Sequence, residues 1–116
     1  MRNAMMLGAS LAVLIAAGCA SNPPLQTESS VSAIRAAEEV GASETPLASF
    51  HLQLAREELA RAQQLATDGE KDRAMSMLRR AEADADLAIL LSQEHTEKSE
   101  AVKAMERVRL LQMNNR

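Results

Sequence analysis

Residues 65–74 read L-A-T-D-G-E-K-D-R-A, from Leu65 to Ala74, and the fold turns on this stretch. Thr67-Asp68-Gly69-Glu70 interrupts two long runs of helix-forming residues, and Gly69 is placed to take the left-handed conformation that follows a helix end. Glu70 and Asp72 then fall in the first turn of the next run, where negative charge favours a helix. So short a connection between helices implies that they run antiparallel. The chain is expected to be all-α: an antiparallel helical hairpin with a short N-terminal helix and a long C-terminal helix.

Upstream, Thr45-Pro46 forms a helix start with proline at the first helical position, and the predicted helix covers 46–67. Leu47, Phe50, Leu54, Ala62 and Leu65 keep to one broad apolar side, and Leu52, Leu59 and Ala66 widen it. That width exceeds what one neighbouring helix needs, which implies contact with two helices or with another molecule. Downstream, the predicted helix covers 70–112. Ala74, Met77, Leu78, Ala81, Ala85, Ala88 and Ile89 line one side of it, and the alanines allow a close approach. The polar run S-Q-E-H-T-E-K-S, residues 92–99, holds no proline or glycine, so one helix is expected to pass through it. Leu87, Leu90 and Leu91 lie off the alanine-rich side, free either to receive the short N-terminal helix or to bind a second copy. Further on, Val102 and Met105 continue an apolar line toward Val108 and Leu111, while Lys103, Arg107 and Arg109 make the far end basic.

The short N-terminal helix is expected over 31–40, along Val31, Ile34, Ala37 and Val40, capped by Ser29 or Ser30 and ended by Gly41. Residues 19–30 contain Pro23 and Pro24 among polar residues and read as a disordered tether. The helical domain is thus 31–116. Residues 1–18 combine an early Arg2, the apolar run L-A-V-L-I-A-A from Leu11 to Ala17, and Gly18 just before the sole cysteine. A basic start, a short apolar centre and small residues at the end form an export signal rather than a folded element. Ala17-Gly18-Cys19 forms the small-small-Cys step of a bacterial lipoprotein signal. Cleavage between Gly18 and Cys19 would leave Cys19 as the first residue, its thiol joined to lipid.

The formal net charge of −3 gives no reason to expect a nucleic-acid partner, and a single phenylalanine with no tyrosine or tryptophan excludes a core built on large rings. Cys19, once lipidated, leaves no thiol for a disulfide. The two histidines are His51, within the apolar side of its helix, and His95, in the polar stretch beside Glu94 and Glu97. Zinc asks for three or four converging ligands, so no metal site and no cofactor are expected. Glu82, Asp84 and Asp86 spread around their helix and read as a solvated face. Ser76, Ser92 and Ser99 have no histidine placed to activate them. The chain is not expected to be an enzyme.

With the leader at Cys19, the run L-A-R-E-E-L-A-R-A from Leu54 to Ala62, the turn Asp68-Gly69-Glu70 and the alanine-marked stretch from Ala74 to Leu91, the chain resembles bacterial envelope proteins carrying domain of unknown function 4398. The resemblance implies a lipoprotein with an alanine-rich helical hairpin and brings no catalytic residues with it. The Gly-acidic turn between alanine-marked helices also looks like one tetratricopeptide unit, but a repeat array needs further copies and none is present.

These features lead to an expected function: a lipoprotein of the outer membrane, facing the periplasm, anchored in the lipid bilayer through Cys19 and acting as a non-enzymatic helical interaction or scaffold module. Its expected contact residues are Leu87, Leu90, Leu91, Val102, Lys103, Met105, Arg107 and Arg109. The partner would be an envelope protein, a second copy in a coiled coil, or peptidoglycan held directly by the basic end.

Overall fold

The computed structural model describes residues 24–116; the leader, Gly18 and Cys19 lie outside them. Three helices are present in this part: α1 (Glu28–Glu39), α2 (Pro46–Thr67) and α3 (Lys71–Asn114), with a single 3-10 turn at Ala42–Glu44 between the first two.

Gly41 and Gly69 end α1 and α2, with φ of 75° and 81°. After α2 the Glu70 N–H reaches back to the Leu65 carbonyl at 2.8 Å and the Gly69 N–H to the Ala66 carbonyl at 3.1 Å. This is the paired closure that satisfies a helix's last carbonyls and requires a left-handed residue at the reversal. Pro46 opens α2 behind an extended Thr45, whose carbonyl accepts from the Ser49 N–H at 2.7 Å. α3 is unbroken over 44 residues, about 66 Å at 1.5 Å per residue.

The buried residues recur at alternating steps of three and four: Ser30, Ile34 and Ala37 on α1; Ala48, Leu52 and Ala55, then Ala62 and Leu65, on α2; Ala74, Leu78, Ala81, Ala85, Ala88 and Ser92 on α3. Such spacing keeps one stripe of each helix facing its neighbours. More than half of these residues are alanines at zero exposure, and Leu52 is the largest fully buried side chain. The core comes from close backbone approach more than from side-chain bulk. Ile34, Ala37, Ala42, Ala48, Leu52, Ala55, Ala85 and Ala88 form one cluster to which all three helices contribute.

The antiparallel hairpin with a short N-terminal helix, expected from the sequence, is therefore corrected to a three-helix fold in close three-way contact. α1 is a full member of it. Two serine hydroxyls hold α1 to α3: Ser30 Oγ donates to the Leu78 carbonyl at 3.0 Å, and Ser92 Oγ to the Val40 carbonyl at 2.7 Å. α1 thus runs parallel to α3 and antiparallel to α2. It also starts three residues before the expected Val31, so that 28–30 are helical rather than tether, and the Ser30 hydroxyl docks the helix instead of capping it. A helix this short is unstable alone and depends on the groove it fills.

The apolar side expected for α2 is buried at Leu52, Ala62 and Leu65 but not at the start of the helix. Leu47 and Phe50 are each 55% exposed, and Ala48 and Ala55 face the core instead. Small residues pack inside because the helices approach closely; the larger ones are left at the rim.

Candidate interaction surface

The buried stripe of α3 stops at Ser92, where α1 ends. Residues 93–114 continue as helix for about 33 Å more, with every side chain exposed except the half-buried Ser99. Local contacts support this segment: Thr96 Oγ1 donates to the Ser92 carbonyl at 3.1 Å, and Lys98 pairs with Glu94 one turn earlier. That lysine hydrogen-bonds Glu94 and holds its carboxyl below the usual carboxylate range.

The expected contact residues divide between bundle and extension. Leu91 packs against the core cluster and belongs to the bundle. Leu87 and Leu90 lie on the outer side of α3, exposed by 38% and 61%. α1 occupies a different side, so these two leucines do not receive it. Val102 and Met105 are exposed by 60% and 65%, and Lys103, Arg107 and Arg109 are exposed around them. Arg109 lies 3.8 Å from Glu106. None of the helices in the described residues is long and apolar enough to cross a membrane.

A second feature lies between α2 and α3. Half-buried His51 meets Asp84 at 2.7 Å between Nδ1 and Oδ1. Nearby, Glu58 Oε1 accepts from Arg80 Nε at 3.0 Å, while Glu58 Oε2 is buried without a hydrogen-bond partner. Burial raises the Glu58 pKa above the ordinary carboxylate value, and the adjacent Asp84 carboxylate raises it further; Arg80 opposes both. Two ionised carboxylates cannot hydrogen-bond one another, but a proton on Glu58 converts its free oxygen into a donor toward Asp84. Asp84, expected on a solvated acidic face, is in fact half-buried in this cluster. The link was hidden because it spans α2 and α3, and only the register between them brings His51, Glu58, Arg80 and Asp84 together. His95 is exposed on the extension. Among the described residues no group of three His, Cys, Asp or Glu side chains is placed to hold a metal ion.

At the other end of the bundle a groove of about 560 Å³ is lined by Leu25, Ser29, Ala66, Met75, Leu78 and Arg79, among others. It borders the point where the described chain begins.

The comparison with curated proteins and that with solved structures give no match. The comparison with protein families gives one: the family described as Domain of unknown function (DUF4398) matches residues 26–104, which takes in all of α1 and α2, and α3 as far as Ala104. The described residues form an elongated all-helical domain, and the chain belongs to the DUF4398 family.

Proposed function

We propose that the protein is a lipid-anchored module of the bacterial envelope, held to the outer membrane through Cys19 on the periplasmic side, whose three-helix bundle presents the projecting part of α3 to a partner. The observation that carries this reading is the bare extension: residues 93–114 bury no side chain against the bundle, yet keep Val102, Met105, Val108 and Leu111 exposed along an unbroken helix. An isolated helix of that length is marginal in water, and exposed apolar side chains add nothing to its stability unless something covers them. The leader sequence supports the anchor, since Gly18-Cys19 ends the apolar run in the form that lipoprotein processing uses. No step of the proposed role is chemical; the module acts by contact.

The test has two arms. Metabolic labelling with a lipid precursor should mark the natural chain and not Cys19→Ala. Cross-linking in intact cells should join the chain to a protein through the extension, and removal of residues 98–116 should abolish that product. Equal labelling of both chains would refute the anchor, and an unchanged cross-linked product would refute the role of the extension.

A second reading is supported by the basic side chains of the extension, Lys103, Arg107 and Arg109, all exposed. In it, the module is a structural spacer that binds peptidoglycan directly through this end. Sedimentation with purified peptidoglycan that is lost on removing residues 98–116 would favour it over a protein partner.

A further inference from the structure

The outer side of α3 carries a second stripe at alternating steps of four and three. On the bundle it consists of Ala83, Leu87 and Leu90; midway come Glu94 and Glu97; on the extension it continues as Ala101, Ala104, Val108 and Leu111. Every one of these residues is exposed. At 3.6 residues per turn the stripe lies roughly opposite Ala81, Ala85, Ala88 and Ser92, so neither α1 nor α2 covers it. It spans residues 83–111, about four heptads, the length over which such a repeat specifies a coiled coil.

Charge is divided along the same helix. The exposed charges of residues 82–97 are Asp86, Glu94 and Glu97, with no lysine or arginine, whereas 101–116 hold Lys103, Arg107, Arg109 and Arg116 against Glu106. Parallel pairing of two such helices would set like charge beside like charge. Antiparallel pairing sets the acidic half of each beside the basic half of the other.

We infer that the partner of this surface is a second copy of the chain, joined through α3 in an antiparallel two-stranded coiled coil. The inference rests on the interaction reading above and names its partner. In an antiparallel coil the two kinds of core position face each other across the seam. The register that centres on Ser99 then places Leu87 opposite Leu111 of the other copy and Leu90 opposite Val108. The same register sets Glu94 opposite Ala104 and Glu97 opposite Ala101, so no glutamate faces a glutamate. Apolar layers thus lie at both ends of the seam, and the small alanines in the middle leave room for the two acidic side chains to reach water. The extension of each copy lies along the outer side of the other's bundle.

The test is thiol cross-linking in full-length Cys19→Ala chains, which contain no other cysteine. Leu90→Cys and Val108→Cys are made separately. Within one chain these positions are about 27 Å apart along the helix, so a short bifunctional thiol reagent joins them only between copies. A mixture of the two variants should give a covalent dimer several-fold more abundantly than either variant alone. Sedimentation equilibrium should show a dimer for the Cys19→Ala parent that Leu90→Asp converts to monomer, with helical content unchanged. Dimers from either variant alone at the level of the mixture would overturn the antiparallel register. A monomeric parent at every concentration would overturn self-association, and if in-cell cross-linking from the extension then captured a different envelope protein, the interaction reading would stand without it.

Discussion

Ser92 donates its hydroxyl hydrogen to the carbonyl of Val40 across 2.7 Å, joining the residue that caps α1 to the last buried position of α3. With the matching bond from Ser30 to Leu78 at 3.0 Å, it fixes α1 at both ends. These two contacts make the fold a three-helix bundle, and they mark where the bundle stops and the extension begins.

Removing this bond should therefore loosen α1 first. Ser92→Ala leaves the Val40 carbonyl without its donor, at a cost of about 1–2 kcal/mol. In a domain of this size the melting temperature should fall by roughly 4–12 °C. Hydrogen exchange should show the loss concentrated in α1 amides, while those of α2 and the facing part of α3 keep their relative protection.

The alanine core makes a second prediction, because α3 carries alanines on two sides. Ala85 has no exposed surface and Ala83 is exposed. Ala85→Leu forces extra carbons between helices already in contact and should destabilise the bundle by about 1–3 kcal/mol or more. Ala83→Leu should leave the monomer's melting temperature nearly unchanged. Thermal melts of the two variants at low concentration separate these outcomes.

Glu58 gives a pH-dependent prediction. Its folded pKa is raised, so the fold binds this proton more tightly than the unfolded chain does. The associated stabilisation is complete below the unfolded pKa and is lost as pH rises through the folded one. Glu58→Gln keeps an acceptor for Arg80 and supplies a donor toward Asp84 at every pH. It should raise the melting temperature by a few degrees at neutral pH, the scale of about 1 kcal/mol, and the difference should shrink as the medium is acidified below the folded pKa. A constant difference across pH would show that the proton does not act at this position.

The extension should be dispensable for folding. Ending the chain after Lys98 keeps the Lys98 pair with Glu94 and every buried residue. At concentrations where the chain is monomeric, the melting temperature should shift by no more than about 2 °C, because only exposed helix is removed.

Much of this architecture is written in local signals. Gly69 with its acidic neighbours marks the reversal, Thr45-Pro46 marks the start of α2, and the lack of proline or glycine between Ser92 and Ser99 marks α3 as continuous. α1 is marked too, by Ile34, Ala37 and the terminating Gly41, but its place against α3 is not. Ser30 and Ser92 are ordinary polar residues in sequence, and only their distance from carbonyls 48 and 52 positions away gives them a role. On α2, Leu52, Ala62 and Leu65 are buried as expected, but hydrophobic size also favours Leu47 and Phe50 for the interior, where close packing selects Ala48 and Ala55. Asp84 was hidden for a related reason, since its partners His51 and Glu58 sit on the opposing helix. Of the expected contact residues, those beyond Ser92 are exposed on the extension, and Leu91 alone among the three leucines belongs with the core.

The central claim is that the outer side of α3 is where this module makes contact. The most direct measurement places a photo-activated cross-linker at Val108 in living cells, with a matched control at Gln63 on the exposed side of α2. A discrete cross-linked product is expected from position 108 and none from position 63. Absence of a product at 108, or the same product from both positions, would contradict the claim.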